Sequence, residues 1–306
     1  MKKYDIIIVG AGPAGLAAAI YGRRADKSVL VIERSTFGGQ ITHSPRVENY
    51  PGFSALSGTE LADNMVSHAL SQGADIELDT VLSIDGELGE FSVKCEGGEY
   101  LSKTVIIATG SKHRTLGIER EDEFVGEGIS YCAVCDGAFY RDCDVAVIGG
   151  GNSALVEAVM LSDIAKKVYI VQNLNFLTGE AKLIADVSSR ENVEIILGAT
   201  VKGIIADDKF KGITLDLADG ERQVYVDATF VAIGQVPENE PFKNLVSLDD
   251  RGYIEADESC VSSMCAGVYV AGDCRRKAIR QVSTAISDGA VAALAACRDI
   301  DSLSRE

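Results

Sequence analysis

The sequence contains one local pattern twice, and this duplication restricts its fold more than any other feature. Residues 4–9 form a short apolar run, a glycine-rich turn and a helix-forming segment follow, and a second apolar run ends at Glu33. Residues 144–171 repeat this order of apolar run, glycine-rich turn, helix former and apolar run. Short apolar runs bounded by glycines are typical of buried parallel strands. Each copy therefore predicts a βαβ unit, and the two copies predict two nucleotide-binding domains of the same type.

Length, charge and cysteine content restrict the class of protein further. The chain has 306 residues, which is enough for two domains. Its 46 acidic and 29 basic residues give a net charge of −17, which argues against a broad surface for nucleic acid or anionic membranes. No apolar run approaches the ~18 residues that a membrane-spanning helix needs. We expect a cytoplasmic protein in which any disulfide is catalytic rather than structural.

Two later segments also repeat each other. Residues 91–107 and 212–234 alternate apolar and polar side chains, carry turn signals, and end in a buried strand. Residues 267–273 read as one more buried strand, and residues 281–297 as a helix rich in small side chains. The expected fold class is α/β, with two Rossmann-like dinucleotide-binding domains that each have three layers, ββα.

The first glycine turn meets the requirements of a dinucleotide site. Gly10 allows the tight turn after the strand, Gly12 lets the backbone approach a pyrophosphate, and Gly15 lets the helix pack on the sheet. The N-terminus of the helix offers free N–H groups and the positive end of its dipole. Glu33 ends the second strand and can accept hydrogen bonds from the adenosine ribose hydroxyls.

The sequence Cys132-Ala-Val-Cys135-Asp136 predicts redox chemistry. Two thiols separated by two residues at the start of a helix can form a small redox-active disulfide, and the helix dipole lowers the pKa of a thiolate. The carboxyl group of Asp136 can move the proton that thiol–disulfide exchange requires. Two alternatives stay open: half of a zinc site, for which no second ligand pair is evident, and a pair of inert buried thiols. We expect no metal.

The ordered set of motifs resembles the low-molecular-weight flavin thioredoxin reductases over essentially the whole chain. The motifs are GAGPAG at 10–15, GGQI at 38–41, VENYPG at 47–52, ATG at 108–110, CAVCDG at 132–137, AIG at 232–234 and AGD at 271–273. The resemblance implies a homodimeric FAD enzyme that reduces thioredoxin. It also implies a discontinuous FAD domain, residues 1–112 and 242–306, with the CxxC domain, residues 113–241, inserted in its middle.

The resemblance also implies roles for individual residues. Cys135 would face the flavin, Cys132 would attack the thioredoxin disulfide, and Asp136 would be the acid–base residue. A large rotation between the domains would alternate which face of the flavin is served. The residues implied to hold FAD are Gly10, Gly12, Pro13, Ala14, Gly15, Glu33, Arg34, Gly39, Gln40, Asn49, Thr109, Gly110, Gly272, Asp273, Arg280 and Gln281.

The chain departs from the family pattern where most members bind NADPH. The second glycine turn, Gly149 to Ala154, is present, but the basic HRRxxxR-type segment that pairs with the 2′-phosphate is replaced by residues 171–180, which contain no Arg, Lys or His. Glu180 would oppose that phosphate. Gln172 stands where an NADH site normally offers a carboxylate, and the turn itself also has a purely structural explanation.

A minority branch of the family lacks pyridine-nucleotide motifs and takes electrons from ferredoxin. We therefore expect a ferredoxin or similar one-electron protein as the donor, with NADH as the alternative and NADPH less favoured. Residues 113–241 hold 11 basic and 22 acidic side chains, so long-range repulsion would slow the approach of an acidic ferredoxin. The cluster Arg275, Arg276, Lys277 and Arg280 is the expected local docking patch for such a donor.

Two functions of other classes remain as alternatives. One is a flavin redox sensor that has the CxxC pair but no turnover. The other is a ferredoxin–NADP⁺ reductase built on this fold, and the intact CAVCDG motif argues against it because those enzymes lack the disulfide.

Overall fold

The computed structural model describes residues 1–44, 46–262 and 264–303, and it divides into two compact units. The first unit comprises Met1–Lys112 together with the chain from Val236 onward, and the second comprises His113–Gln235. Residues 236–241, which the sequence assigns to the inserted domain, fall in the first unit. Asn239 illustrates the reason, because its side chain accepts a hydrogen bond from Thr109 and donates to the carbonyl groups of Gly252 and Cys274.

The first third of the chain forms mainly strands, with two helices between them. In chain order, the helices and strands up to the second unit are β1 (Lys3–Val9), α1 (Pro13–Arg24), β2 (Val29–Glu33), α2 (Gly58–Ser71), β3 (Asp75–Leu78), β4 (Val81–Glu87), β5 (Glu90–Cys95), β6 (Glu99–Ile107) and β7 (Ser111–His113).

The second unit repeats this order of elements, and the chain then returns to the first unit. The elements of the second unit are β8 (Ile129–Ser130), α3 (Ala133–Asp136), β9 (Asp144–Ile148), α4 (Asn152–Ser162), β10 (Lys167–Gln172), α5 (Ala181–Ser189), β11 (Val193–Leu197), β12 (Thr200–Ala206), β13 (Phe210–Leu217), β14 (Gly220–Tyr225) and β15 (Ala228–Val231). The elements of the returning chain are β16 (Gln235–Pro237), β17 (Val268–Val270) and α6 (Val282–Leu303).

The first unit has a parallel sheet covered on both faces. Strands β3, β2, β1, β6 and β17 lie side by side in this order and are parallel, while β4 and β5 extend the sheet as an antiparallel meander with the start of β6. Helices α1 and α6 pack on one face, where Ile6 and Ile8 contact a core of small side chains. The alternate residues Ile7 and Val9 belong to the core on the opposite face. This continuous burial explains why β1 is apolar at successive positions.

The second unit has the same three layers. Its parallel sheet has the order β11, β10, β9, β15 and β8. Val145 and Val147 pack with α4 on one face, and Ala146 and Ile148 pack toward the antiparallel sheet β12–β13–β14 on the other. The α/β class with two Rossmann-like domains of ββα type, predicted from the sequence, is therefore confirmed.

The two segments that connect the units are short strands. Strands β7 and β16, which lead the chain into and out of the second unit, pair with each other as a two-stranded sheet. None of the helices in the described part of the chain has the length and apolar character needed to cross a membrane.

Candidate functional site

The first glycine turn joins β1 to α1, and each of its glycines is there for a different reason. Gly10 has a φ of +109°, and a Cβ atom there would lie 2.4 Å from the carbonyl oxygen of Ala108. A Cβ at Gly15 would lie 1.9 Å from the carbonyl oxygen of Gly10. At Gly12, no described atom lies within 4 Å of such a Cβ. Gly10 and Gly15 are thus required by the protein's own packing, whereas Gly12 leaves space beside the backbone.

Glu33 ends β2 with its carboxylate turned toward this glycine turn. One oxygen accepts a hydrogen bond from the backbone N–H of Ala11 at 2.8 Å, and the other accepts from the backbone N–H of Ser35 at 2.9 Å. The contact fixes the carboxylate at the carboxyl end of the parallel sheet, where ligands of such folds bind. The next residue, Arg34, is exposed and forms an ion pair with Glu238.

Most of the other residues predicted to hold a cofactor lie around this edge of the sheet. A Cβ at Gly39 would lie 3.2 Å from the Cα of Gly12, and a Cβ at Gly272 would lie 2.8 Å from the Cβ of Ala14. Pro13 is the first residue of α1, where its missing N–H costs nothing. The remaining predicted residues lie as follows: Asn49 donates to Gln281 at 3.2 Å, Thr109 donates to Asn239 at 3.0 Å, Gly110 has a φ of +69° after β6, and Gln40 is exposed.

Asp273 follows β17 and belongs to a buried network that sequence reasoning missed. Asp288 of α6 accepts hydrogen bonds from the backbone N–H of Gly272 at 3.0 Å, from Arg275 at 2.9 Å and from Lys277 at 3.1 Å. Burial acts to raise the pKa of the Asp288 carboxyl group, but Arg275 and Lys277 outweigh it and hold that pKa below its usual range. The network fixes the turn that carries Asp273. A lone carboxylate in a helix of small residues was the available signal.

The basic cluster expected to dock an acidic donor is not an open patch. Arg275 is only 3% exposed, and its guanidinium group forms an ion pair with Asp288. The side chain of Lys277 is only 6% exposed and also pairs with Asp288. Arg276 is exposed but pairs with Glu255 at 3.4 Å. The interpretation of all four cations as one open docking patch is therefore wrong, because Arg275 and Lys277 compensate the buried carboxylate of Asp288 and only Arg276 of the other two is exposed.

Two polar atoms at this edge of the sheet are buried without a hydrogen-bond partner among the described residues. They are Oδ1 of Asp273, from which Lys277 lies 3.3 Å away without hydrogen-bond geometry, and Nε of Arg280. Burial raises the pKa of the Asp273 carboxyl group. The guanidinium group of Arg280 lies 4.2 Å from the ring centre of Tyr253. Unsatisfied buried groups in a native protein call for a ligand or water, and together with the open backbone at Gly12 they fit a dinucleotide cofactor.

The two cysteines of the CxxC motif form a disulfide in the second unit. Cys132 is the residue before helix α3, and its Sγ accepts a hydrogen bond from the backbone N–H of Cys135 at 3.2 Å. Both cysteines are half-buried. Among the described residues, no three His, Cys, Asp or Glu side chains are grouped to hold a metal ion. The disulfide supports the redox interpretation over the zinc half-site and the inert thiols.

Asp136 lies beside this disulfide with its carboxyl group largely out of solvent. Its Oδ2 accepts a hydrogen bond from the hydroxyl group of Ser130 at 2.6 Å, and its Oδ1 is buried without a partner among the described residues. Burial raises the pKa of the carboxyl group, although the Ser130 hydrogen bond acts in the opposite direction. A carboxyl group of this kind can hold a proton at higher pH than an exposed aspartate and pass it to a sulfur atom.

Glu157 of α4 is a second buried carboxyl group near the CxxC helix, and the sequence analysis did not identify it. Burial raises the pKa of Glu157 to about 7, and a hydrogen bond from the backbone N–H of Ala133 acts in the opposite direction. Its Oε2 has no hydrogen-bond partner among the described residues. A glutamate on a helix face rich in apolar residues was the only signal that could have indicated it.

The second glycine turn has the backbone of the first, but its surroundings differ. Gly149 has a φ of +132°, and a Cβ there would lie 2.6 Å from the carbonyl oxygen of Ala232. The side chain of Gln172 packs onto the turn, so that a Cβ at Gly150 would lie 2.6 Å from its Nε2. The backbone N–H groups of Thr178 and Gly179 donate to the carbonyl oxygen of Gly150 at 2.8 and 3.0 Å. The chain after β10 therefore folds back onto this turn.

A carboxylate also stands at the start of α4, the helix that follows the second turn. The side chain of Asn152 accepts a hydrogen bond from the backbone N–H of Glu180 at 2.7 Å and donates to its carboxylate at 3.1 Å. The nearby side chains Leu174 and Phe176 are exposed. A phosphate at this helix end would meet a negative charge in place of the arginines that a 2′-phosphate normally requires.

Comparisons with known proteins show which family this chain belongs to. Residues 4–289 match the family described as pyridine nucleotide-disulphide oxidoreductase. The chain is 43% identical to a thioredoxin reductase of Mycoplasma genitalium over 97% of its own length and 95% of the relative's. Its structure is similar to that of a thioredoxin reductase from Streptococcus pyogenes, with a TM-score of 0.93, 36% identity, and coverage of 98% and 99% of the two chains.

A further solved structure is named for its electron donor. This is a ferredoxin-flavin thioredoxin reductase from Clostridium acetobutylicum, which is 31% identical to this chain with a TM-score of 0.54 and full coverage of both chains.

Proposed function

We propose that this chain reduces the disulfide of a thioredoxin through Cys132 and Cys135, because it belongs to the low-molecular-weight thioredoxin reductase family of FAD-dependent disulfide reductases. The observation that carries the proposal is the Cys132–Cys135 disulfide at the start of α3, with the buried carboxyl group of Asp136 beside it. This pairing offers both a disulfide that can be reduced and an acid that can hold the accompanying proton.

The roles within the CxxC motif follow from its chemistry and from the family resemblance. Cys132 is the nucleophile toward the thioredoxin disulfide and forms the mixed disulfide. Cys135 would be the cysteine that faces the flavin when FAD is bound, and it resolves the mixed disulfide. Burial raises the pKa of the Asp136 carboxyl group, and this group is the acid that protonates the departing thiolate of thioredoxin.

The first unit holds FAD at the carboxyl ends of β1, β2, β6 and β17. Gly12 and the N-terminus of α1 receive the pyrophosphate, Glu33 receives the adenosine ribose, and Asp273 and Arg280 supply the polar atoms that the fold leaves unsatisfied. FAD, when bound, supplies chemistry that accepts electrons singly or in pairs and delivers a pair to a disulfide. The other members of the proposed cofactor set are Gly10, Pro13, Ala14, Gly15, Arg34, Gly39, Gln40, Asn49, Thr109, Gly110, Gly272 and Gln281.

For the electron donor, we propose a ferredoxin or similar one-electron protein in place of NADPH. Support comes from the second glycine turn, which is covered by Gln172 and faced by Glu180 where the 2′-phosphate would bind. The similarity to the ferredoxin-flavin enzyme of Clostridium acetobutylicum is consistent with this donor. NADH is the second candidate, because it lacks the 2′-phosphate and the glycine turn itself is intact.

The donor is tested by anaerobic titration of the FAD-loaded protein with NADPH, NADH and reduced ferredoxin in separate experiments. Flavin absorbance reports the reduction. Rapid bleaching by ferredoxin and slow bleaching by NADPH are expected, and rapid bleaching by NADPH would overturn the donor proposal.

The disulfide chemistry is tested with the effective donor, thioredoxin and the variant Cys135→Ser. The variant is expected to bind FAD at the same stoichiometry as the wild type and to release no thiols from thioredoxin. Full activity of the variant would contradict the cysteine assignment. Turnover by the wild type also separates a reductase from a redox sensor.

The assembly and the location of the protein remain part of the proposal. We propose a cytoplasmic homodimer of chains in which the CxxC domain is inserted in a discontinuous FAD domain. Sedimentation equilibrium of the FAD-loaded protein tests the dimer, and a monomer at micromolar concentration would contradict it.

A further inference from the structure

Ser130 ends β8 two residues before Cys132, and its side chain is buried inside the second unit. The residue is only 4% exposed. Strand β8 pairs in parallel with β15, and Ser130 lies opposite Phe230, which is fully buried. The sheet therefore fixes the backbone that carries this hydroxyl group, whereas the CxxC motif that follows lies outside the sheet.

The hydroxyl group of Ser130 joins the backbone of Cys132 to the carboxyl group of Asp136. It accepts a hydrogen bond from the N–H group of Cys132 at 3.1 Å and donates one to Oδ2 of Asp136 at 2.6 Å. A hydroxyl group can do both at once because it has one hydrogen and two lone pairs. One atom of Ser130 thus contacts both the first cysteine of the pair and the acid that follows the second.

The acceptors within reach of the hydroxyl hydrogen show which form of Asp136 this contact favours. Among the described residues, the other acceptor is the carbonyl oxygen of Cys132 at 3.5 Å, and this oxygen already accepts from the N–H groups of Cys135 at 3.1 Å and Asp136 at 3.0 Å. The best partner of the hydrogen is therefore Oδ2 of Asp136. A hydrogen bond to a carboxylate is roughly twice as strong as one to a neutral acceptor, so the contact favours the ionised form.

We propose that Ser130 is a positioning residue for the proton transfer that accompanies disulfide exchange at Cys132. Its hydroxyl group holds the carboxyl group of Asp136 beside the backbone of Cys132 and stabilises the carboxylate that remains after Asp136 has given up its proton. The inference rests on the proposed function, in which Asp136 is the acid. Oδ1 of Asp136 is buried without a partner among the described residues, so loss of Ser130 would leave neither carboxylate oxygen with a hydrogen-bond donor there.

The proton transfer is balanced with the groups already named. The thiolate of Cys132 attacks one sulfur of the thioredoxin disulfide, so that a bond between these two sulfurs forms and the thioredoxin sulfur–sulfur bond breaks. The departing sulfur leaves with the electron pair and takes the proton of Asp136, which becomes a carboxylate. Ser130 keeps its own hydrogen throughout, and its bond to Oδ2 becomes stronger. Asp136 regains a proton from water before the next turnover.

Other ionisable groups surround Asp136, and the measurement must separate them from it. Tyr131 and Tyr140 are uncharged near neutral pH, since burial raises the pKa of both phenols. Glu157 of α4 titrates with a pKa that burial raises to about 7, so its carboxyl signal can overlap with that of Asp136. The ionisable groups on the segments around Asp136 are Cys132, Cys135, Tyr131, Tyr140, Arg141 and Glu157.

The test measures the proton affinity of Asp136 by infrared titration of the FAD-loaded protein. The carbonyl band of the protonated Asp136 is assigned by its loss in Asp136→Asn and by its shift in protein labelled with ¹³C-aspartate. Ser130→Ala should raise the midpoint of this band by about one pH unit, a tenfold change in proton affinity. Ser130→Thr keeps the hydroxyl group and should restore the wild-type midpoint.

Ser102→Ala is the matched control. Ser102 is also a strand serine, is 1% exposed, and donates to the carbonyl oxygen of Thr104 at 2.6 Å in the first unit. Its replacement removes a buried hydroxyl group without removing a contact of Asp136, so the midpoint should equal that of the wild type.

The pH profile of thioredoxin reduction provides a second readout that a merely structural role would not move. The pH above which kcat/KM declines should rise in Ser130→Ala together with the infrared midpoint. In the Asp136→Asn background, Ser130→Ala should cause no further displacement of the profile, because the residue acts through Asp136. Ser130→Gly lacks the same hydroxyl group and should behave as Ser130→Ala, so either folded variant serves.

An infrared midpoint in Ser130→Ala that equals or lies below that of the wild type would overturn the inference. A displacement of the same size in the Asp136→Asn background would also overturn it. Failure of the wild type to reduce thioredoxin would instead count against the proposed function, because the infrared titration requires no thioredoxin.

Discussion

The two glycine turns have nearly the same backbone, but the space above the first turn is open and the space above the second is filled by a side chain. Gly10 and Gly149 both have a positive φ and both abut a carbonyl oxygen of the neighbouring strand segment. Above the first turn, Gly12 faces open space and Glu33 holds the Ala11 N–H. Above the second, Gln172 packs onto the turn. The comparison teaches that a glycine motif reports how strand and helix pack, while the residues after the second strand decide whether a ligand can enter.

The largest expected effect comes from replacing the first glycine of each turn with alanine. The change in the first turn should abolish FAD binding, whereas the same change in the second turn should not. Gly10→Ala forces a side chain into a left-handed conformation that costs about 1–3 kcal/mol and places its Cβ 2.4 Å from a carbonyl oxygen. We expect loss of FAD and a large fall in melting temperature. Gly149→Ala should lower the melting temperature but keep FAD. The ratio of flavin to protein absorbance measures the FAD content of each variant, and thermal unfolding measures its melting temperature. If both variants fold and lose the same amount of flavin, the proposed difference between the two turns is contradicted.

The next effect separates ligand binding from packing. Gly12 has a φ of −77° and Gly151 a φ of −88°, and neither would place a Cβ within 3.4 Å of a described atom outside its chain neighbours. Alanine should therefore leave the stability of the FAD-free protein unchanged at both positions. Gly12→Ala should weaken FAD binding at least about tenfold, or about 1.4 kcal/mol, because its methyl group occupies the pyrophosphate space. Gly151→Ala is the control in fluorescence titrations with FAD, and a matching loss there would refute the assignment.

A pH-dependent effect on stability concerns α4, the helix that the second turn starts. The pKa of Glu157 is about 7 in the folded protein and 4.5 as its reference, so the folded state binds more protons than the unfolded state between these values. Wild-type stability should fall as the pH rises from about 4.5 to 7 and then level off. Glu157→Gln should lack this fall and be more stable than wild type by up to about 3 kcal/mol at pH 8, because each unit of pKa shift is worth about 1.4 kcal/mol. Urea unfolding at pH 4.5 and pH 8 measures the difference, and a constant difference would contradict the burial argument.

The smallest expected effect addresses the cover over the second turn. Glu180→Gln removes a negative charge at the start of α4 while keeping the hydrogen bond to Asn152 possible. We expect the rate of flavin reduction by NADPH to rise about threefold, in line with one exposed charge interaction. NADH lacks the 2′-phosphate, so its rate is the internal control. A rise of the same size with both nucleotides would show that Glu180 does not act on the phosphate.

The sequence predicts backbone patterns in this protein better than it predicts contacts between distant side chains. Both βαβ units, the strand that ends at Glu33 and the helix start after Cys132 are visible locally, because strand burial and glycine turns leave a pattern within a few residues. The packing of Gln172 on Gly150, the burial of Arg275 against Asp288, and the approach of Glu157 to Ala133 join separate elements. The basic residues from Arg275 onward resemble a surface patch in the sequence, because the buried carboxylate that pairs with Arg275 lies on a separate helix, at Asp288.

The pairing of β7 with β16 has a consequence for how the chain can fold. An insertion the size of the second unit separates two parts of the first unit, and closing a loop of this length costs about 4 kcal/mol of chain entropy. A second unit that folds first already brings its two ends together, since the strands that enter and leave it are hydrogen-bonded neighbours. The two parts of the interrupted first unit then begin next to each other, at the paired strands β7 and β16. Folding of the inserted unit therefore lowers the entropic cost of joining the two parts of the unit that it interrupts.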